Sequence, residues 1–356
     1  MSLLLSHRPS RRPALLVPAA ALALVAGLTA CSSSTGSAGS TTTASTVSTS
    51  PSATSAAVSG SASAAVTAGY PVTIDHIFGS TTIATQPQRV VTVGFNEQDF
   101  ALALGVVPVG TREFIGNDFA RRPWAQEALG GATIPTVGEQ QLNLEQIAAA
   151  DPDLILGPYA FLDQNIYDQL SAIAPTVGDL APAGAVSWQQ ELAAVGTALD
   201  KSAQAQELAA SVEQRFTDAK TAHPEFAGKT LALVLLLDSG YYVLEPTDPR
   251  MRFFTDLGFS APSVTGQIAA ENTADLNADV VAVLGAAQAE FTADPLVQNL
   301  PAVTENRVVY FGPFTGDFAG ALGFSSPLSL PYALDVAVPR LAAAADGDPA
   351  TVPDAV

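Results

Sequence analysis

Cationic residues are scarce in this chain, and the arginines among them keep aromatic company. Lys and Arg number 15 against 34 Asp and Glu in 356 residues. Arg112, Arg121 and Arg122 nevertheless fall within one short stretch that also holds Phe114 and Trp124, and Arg250 and Arg252 follow Tyr241 and Tyr242. Phe95, Tyr159, Phe161 and Phe314 each come just after an apolar run. A guanidinium is a planar fork of donors that matches anionic or acceptor oxygens directionally, while aromatic faces accept apolar bulk. The candidate binding set is therefore Phe95, Arg112, Arg121, Arg122, Trp124, Tyr159, Tyr241, Tyr242, Arg250, Arg252 and Phe314. Its chemistry suits a bulky, partly apolar ligand rich in oxygen anions or acceptors.

Other chemistries lack their residues. The histidines are His7, His76 and His223, too few and too scattered for direct zinc or manganese capture, which calls for several His and carboxylate ligands. "GFSSP" from Gly323 is not a Gly-x-Ser-x-Gly nucleophile elbow, His223 precedes a proline, and no phosphate-cradling glycine motif occurs. The chain reads as a non-enzyme with no intrinsic cofactor and no metal site of its own. Its acidity also excludes nucleic acid as a partner, because phosphate backbones need the opposite sign.

The elements that must position the candidate residues follow from periodicity. Short Val/Ile/Leu-rich strands are expected at 89–93, 106–110, 153–157, 229–237, 280–285 and 307–311, with helices between them. This alternation is the signature of an α/β fold with parallel-leaning sheets. Ser187 and Gln190 form a capping box opening one helix. After Asp200, Ala205, Leu208, Ala209, Val212, Phe216 and Ala219 share one face of a second helix that His223-Pro224 ends. At about 22 residues, roughly 33 Å, it is long enough to bridge two lobes. The folded part is large for one core, which also favours two lobes. Ligands of open α/β sheets sit in the crevice at the carboxyl ends of the strands. The loops there, at 94–98, 111–124, 158–162, 238–242 and 312–323, hold most of the candidate set. Trp188, at a helix start, is expected in the core, and His76 and His223 at the surface or as caps.

The N-terminal segment carries a different chemistry. Arg8, Arg11 and Arg12 precede an apolar stretch from Ala14 to Ala30, the layout of an export signal. Leu28-Thr29-Ala30-Cys31 resembles the lipobox of bacterial lipoproteins, which implies cleavage before Cys31 and acylation of that residue. Ser10-Arg11-Arg12 also resembles a twin-arginine signal, and a plain basic n-region accounts for it equally. Acyl chains contribute about 0.8 kcal/mol of membrane affinity per buried methylene, enough to tether a protein that does not span the bilayer. Removing the signal takes away three arginines and no acid, leaving 12 against 34, or 22 net negative charges. From Ser32 to Gly69 the chain is almost wholly Ser, Thr, Ala, Gly and Val, a composition unable to build a core. The expected organisation is a signal at 1–30, a disordered tether at 31–69, an N-terminal lobe at 70–200, a bridging helix at 201–223, a C-terminal lobe at 224–345 and a disordered tail at 346–356.

An internal echo accompanies the two-lobe plan. "LEQIAAADPDLILG" places Glu145, Ala148 and Asp153 before an apolar strand, and "AENTADLNADVVAVLG" places Glu271, Ala274 and Asp279 at the same offsets before another.

Six segments, taken in order, carry a family resemblance: "QPQRVVTVG" from Gln86, "LALGVVPVG" from Leu102, "LNLEQIAAADPDLILG" from Leu142, "SWQQELAAVGTAL" from Ser187, "LPAVTENRVVYF" from Leu300 and "SSPLSLPYALD" from Ser325. Together they resemble the iron-siderophore and cobalamin substrate-binding proteins of ABC importers, over nearly all of residues 71 to 342. The resemblance implies two α/β lobes joined by a single long helix, a ligand cleft between them, and delivery to a membrane permease. It implies a ferric siderophore as ligand, with a hydroxamate favoured over a catecholate and with iron held only through its chelator. Cobalamin and haem are the alternatives within this class, Tyr159, Tyr241 or Tyr242 being the available axial ligands for haem; an adhesion or signalling protein on the same fold is the alternative outside it. The resemblance further implies that Glu145 and Glu271 dock on permease arginines, and that the protein works as an extracytoplasmic, lipid-anchored monomer.

Overall fold

The computed structural model describes residues 69–113, 121–182 and 185–356. The signal, Cys31 and the tether expected at 31–69, apart from Gly69, lie outside the described residues, as does Phe114.

A hairpin of β1 (Val72–His76) and β2 (Gly79–Ile83) leads into the first α/β layer. This layer comprises β3 (Val90–Thr92), α1 (Glu97–Ala103), β4 (Gly110–Thr111), α2 (Gln126–Leu129), α3 (Leu144–Ala149), β5 (Leu154–Leu156), α4 (Gln164–Ser171), β6 (Thr176–Val177) and α5 (Trp188–Ala198). Its four strands run parallel in the order β4-β3-β5-β6. The long α6 (Ser202–Ala222) follows.

The second layer contains β7 (Leu231–Leu237), β8 (Gly240–Val243), α7 (Pro249–Asp256), β9 (Gly266–Ile268), β10 (Val280–Leu284), α8 (Gln288–Phe291), α9 (Pro295–Gln298), α10 (Pro301–Thr304), β11 (Val308–Tyr310), α11 (Asp317–Gly323) and α12 (Ser329–Ala345). Its sheet has the order β11-β10-β7-β8-β9, parallel across β11-β10-β7 and antiparallel beyond. Strands covered on both faces read as continuous apolar runs, and "LALVLLL" in β7 and "VVAVL" in β10 are of this kind.

Each sheet has its own core. Phe100, Leu154, Leu192 and Val195 belong to one, and Phe254, Leu233, Phe311 and Leu334 to the other. Helix α6 serves both: Ala205, Leu208 and Ala209 pack with the first group, and Val212, Phe216 and Ala219 with the second. Asp200 takes a left-handed conformation (φ 57°) ahead of this helix, and His223 ends it before Pro224. The Ser187–Gln190 capping box is formed in both directions, at 3.3 and 2.9 Å.

The sequence echo has a structural job. The Asp153 carboxylate accepts from the backbone N–H groups of Gln88 and Arg89, each at 2.8 Å, where β3 begins. Asp279 accepts from the N–H of Thr230 at 2.8 Å, just before β7. Arg89 donates to the carbonyls of Ala150 and Asp151, and Arg307 to those of Ala278 and Asp279. Both layers thus use a carboxylate and a guanidinium to fasten neighbouring parallel strands at their amino ends.

Three features differ from the sequence expectations. The strand expected at 106–110 shrinks to Gly110–Thr111, because Pro108 has no N–H to give a ladder. Residues 240–243, expected in a loop up to 242, form β8. The stretch 346–356 has no helix or strand, but it lies along the second layer: Arg340 donates to the Asp354 and Ala355 carbonyls, and Asn306 to that of Pro349. Among the described residues, no helix is long and apolar enough to cross a membrane.

Candidate functional site

The first loop of the site leaves β3 as Gly94-Phe95-Asn96-Glu97. Glu97 folds back under Gly94 so closely that a Cβ at position 94 would meet its Oε1 at 2.0 Å, so any larger residue there would displace this carboxylate. Glu97 is fully buried and accepts from the Tyr159 N–H at 2.8 Å, tying this loop to the one after β5. That second loop is clamped by Asp179, whose carboxylate accepts from the N–H groups of Ala160, Phe161 and Leu162 at 2.8 to 2.9 Å. The clamp holds Phe161 at positive φ (54°) and fixes Tyr159 beside it. The rings then form a strip. Tyr159 meets Phe161 edge-on at 4.9 Å, Phe161 lies 5.6 Å from Phe95, and Phe95 lies 6.0 Å from Phe324 of the second layer.

Between the layers, beside Tyr159, is a cavity of about 250 Å³. Tyr159, Trp188 and Glu191 line it from the first layer; Thr247, Asp248 and Arg252 line it from the second, together with Phe324 and Ser325. The turn 246–249 reaches it because Asp248 caps α7 and grips Arg250 through both carboxylate oxygens, at 2.9 and 2.7 Å.

The expected binding residues separate into groups. Phe95, Arg112 and Tyr159 come together: the Arg112 guanidinium stacks 4.5 Å over Phe95, while its Nε and Nη2 donate to the carbonyls of Glu139 and Gln140 at 2.8 and 2.7 Å. Arg252 reaches the cavity and pairs with Asp256 at 3.5 Å; Arg250 stands close enough to bias the Tyr159 hydroxyl. Arg122 and Trp124 are used in packing. Arg122 is buried, donates to Asp317 at 3.0 Å and to the Gly316 carbonyl at 3.1 Å, and lies against Trp124. The Trp124 indole donates to Asp99 at 2.8 Å and its ring packs on Tyr332, so it lines a smaller crevice with Arg122 and Phe324 rather than the main cavity. Arg121 is exposed, and Phe314, 40% exposed, covers Gly285.

The two strand tyrosines part company because residues of a strand alternate in facing. Tyr241 is buried in the second core, edge-on to Phe291 at 5.7 Å, and is not available to a ligand in the cavity. Tyr242 lies on the other face, with its hydroxyl donated to Glu245 at 2.7 Å.

The sequence reading passed over the acids. Burial pushes the Glu97 carboxyl up to about 7, against the hydrogen bonds it accepts. Burial likewise pushes Asp99 up to about 6, opposed by its bonds from Ser326 and Trp124. Burial holds Glu191 well above the usual carboxylate range, and the neighbouring Glu97 charge adds to this. The available signal was a run of polar residues, Asn96 to Asp99, directly after a buried strand, where exposed residues would be ordinary. Trp188, expected in the core, is half-buried at the cavity, touching both cores. Among the described residues, no group of three or more His, Cys, Asp or Glu side chains is placed to hold a metal ion.

Two α/β layers, each with its own core, and a lined cavity between them define a solute-binding protein of the two-lobed class. The chain belongs to the periplasmic binding protein family, whose model matches residues 99–314. YfiY of Bacillus subtilis, a probable siderophore-binding lipoprotein, is 32% identical over 206 residues, which span 56% of this chain and 60% of that protein. FatB of Vibrio anguillarum, a ferric-anguibactin-binding protein, is 27% identical over 265 residues, spanning 67% and 79%. Among solved structures, a periplasmic solute-binding protein of Mycobacterium smegmatis superposes with a TM-score of 0.70 at 37% identity, covering 76% of this chain and 97% of the other. PiaA of Streptococcus pneumoniae in complex with ferrichrome gives 0.65 at 26% identity, covering 78% and 99%.

Proposed function

We propose that this protein captures a ferric siderophore, a hydroxamate in preference to a catecholate, in the cavity between its lobes and hands it to the permease of an ABC importer. The observation that carries this reading is the cavity itself, which is lined from both layers by Tyr159, Trp188, Phe324 and Arg252. Rings give apolar contact to the chelate periphery, and guanidinium groups give directional donors to its oxygens. The names of YfiY and FatB and the ferrichrome complex of PiaA support the ligand class. In this reading Cys31 carries a lipid anchor, in keeping with the lipoprotein name of YfiY, and the protein acts as an extracytoplasmic monomer without catalysis. Phe95, Arg112, Tyr159, Arg250 and Arg252 form the working ligand set, and Glu145 and Glu271 the permease-docking pair.

The test is a titration of the chain from residue 31 onward with ferric hydroxamates, ferric catecholates, cobalamin and haem, followed by tryptophan fluorescence. Saturable quenching by a ferric hydroxamate is expected. Binding of cobalamin or haem alone, or of nothing in the panel, would refute the reading.

A further inference from the structure

The cavity has two chemically different walls. The second layer contributes cations: Arg252 lines it and Arg250 stands behind, held by Asp248. The first layer contributes acceptors. Glu191 and Asn96 both line the cavity and are 3% and 2% exposed. The Asn96 amide donates to the Glu191 carboxylate, and the oxygens left over, Glu191 Oε2 and Asn96 Oδ1, are buried without a hydrogen-bond partner among the described residues. A buried acceptor without a donor is destabilising, and native proteins retain few such atoms outside places with a further role. Here two of them belong to residues that line one cavity. The field on this wall is negative as well, since Glu97 lies close enough to Glu191 to disfavour its ionisation.

We propose that Glu191 and Asn96 form a subsite for a protonated amine of the bound chelate, while Arg252 and Arg250 face its oxygens. The inference rests on the ferric-chelate reading above and deepens it, because it selects chelates that carry a basic nitrogen as well as the iron-binding oxygens. An ammonium group brings three donors and no acceptor, the complement of these two unpartnered oxygens. It also brings the counter-charge that lets a buried carboxyl ionise. Opposite polarity on the two walls would fix which end of the chelate faces which lobe, so the subsite would set orientation together with selectivity.

Two probes test this: a linear ferric trihydroxamate ending in a free primary amine, and the same chelate N-acetylated. Both are titrated into the chain from residue 31 onward and into its Glu191→Gln and Asn96→Ala variants, with tryptophan fluorescence as the readout. The wild-type protein should bind the amine form at least about tenfold more tightly than the acetyl form. In Glu191→Gln that preference should fall to within about twofold, through loss of affinity for the amine form alone. Equal affinity of the two chelates for the wild-type protein overturns the subsite and leaves the ferric-chelate reading standing. Binding of neither, nor of any other ferric chelate, overturns both. Should a variant fail to fold, the wild-type comparison decides by itself, and equal losses for both chelates in a folded Glu191→Gln would assign that residue a structural role only.

Discussion

The Ser326 hydroxyl, from the segment leading into the last helix, donates at 2.8 Å to the buried carboxylate of Asp99 in the first helix, across the two layers; the Trp124 indole reaches the same oxygen at 2.8 Å. Ser326 also accepts from the Ser329 N–H at 2.9 Å, so one hydroxyl both starts α12 and fastens it to the other lobe. A hydrogen bond to a buried charge contributes about 1.5–3 kcal/mol. Ser326→Ala should therefore lower unfolding stability by about 2 kcal/mol, measured by denaturant titration. A cycle with Trp124→Phe should show coupling, since both donors serve one oxygen. Strict additivity would mean that the two bonds act independently.

The raised carboxyls make a pH prediction with a definite sign. Glu97, at about 7, and Asp99, at about 6, bind protons more tightly in the folded than in the unfolded chain, where they ionise near 4.5 and 3.8. Their stabilising protonation is complete below the unfolded values and is lost as pH rises through the folded ones. Stability should thus fall between about pH 4 and about pH 7. At about 1.4 kcal/mol per unit, Glu97 alone accounts for as much as about 3 kcal/mol. Glu97→Gln should reduce this slope and leave the shares of Asp99 and Glu191, and denaturant midpoints at the two pH values decide it. An unchanged slope in the variant would remove Glu97 as the cause.

Ligand sensing should depend on Trp188 and not on Trp124. Trp188 lines the cavity, whereas Trp124 is turned into the seam with Arg122 and Tyr332. A coloured ferric chelate should quench wild-type fluorescence, Trp188→Phe should abolish most of the response, and Trp124→Phe should keep it. The reverse pattern would move the ligand to the smaller crevice beside Phe95 and Gln98.

The split fate of the two tryptophans shows what was legible in the sequence. Periodicity located β7, β10 and the long helix α6, because their burial is decided by the local pattern of apolar residues. The same reading placed Phe95, Arg112 and Tyr159 at one end of the first sheet, since loops after parallel strands converge there. Tyr241 was lost to a four-residue strand whose pairing with Leu236 is a tertiary fact. Glu97, Asp99 and Glu191 were invisible for a related reason. A polar residue next to a strand or on a helix is ordinarily solvated, and only tertiary neighbours, Tyr159 against Glu97, Ser326 and Trp124 against Asp99, and Asn96 against Glu191, take these carboxyls out of water.

The anchor can be separated from the fold. Cys31→Ser should move the protein from the detergent phase to the aqueous phase of fractionated cells while leaving the melting curve of the folded part unchanged. A variant that partitions like the wild type would rule out acylation at Cys31.

The repeated glutamates make the last prediction. Glu145 is exposed in the first turn of α3, whose Asn143 cap accepts from the Gln146 N–H at 3.1 Å. Glu271 is exposed at the start of the short 3₁₀ helix Ala270–Leu276. As helix-start acids they would favour the dipole by at most about 1 kcal/mol each. That local role does not explain why both precede their strand-fastening aspartates, Asp153 and Asp279, by the same interval. An exposed carboxylate on each layer, placed relative to equivalent strands, would let a two-sided partner engage both lobes at once. Neither glutamate lines the cavity, so docking and ligand affinity should respond to different residues. Glu145→Arg combined with Glu271→Arg should abolish uptake of the ferric chelate by cells, with chelate affinity unchanged and stability lowered by no more than about 2 kcal/mol. Each single variant should give an intermediate uptake rate, because one lobe would still carry its charge. Normal uptake by the double variant, at equal surface abundance, would return both residues to the role of helix-start acids.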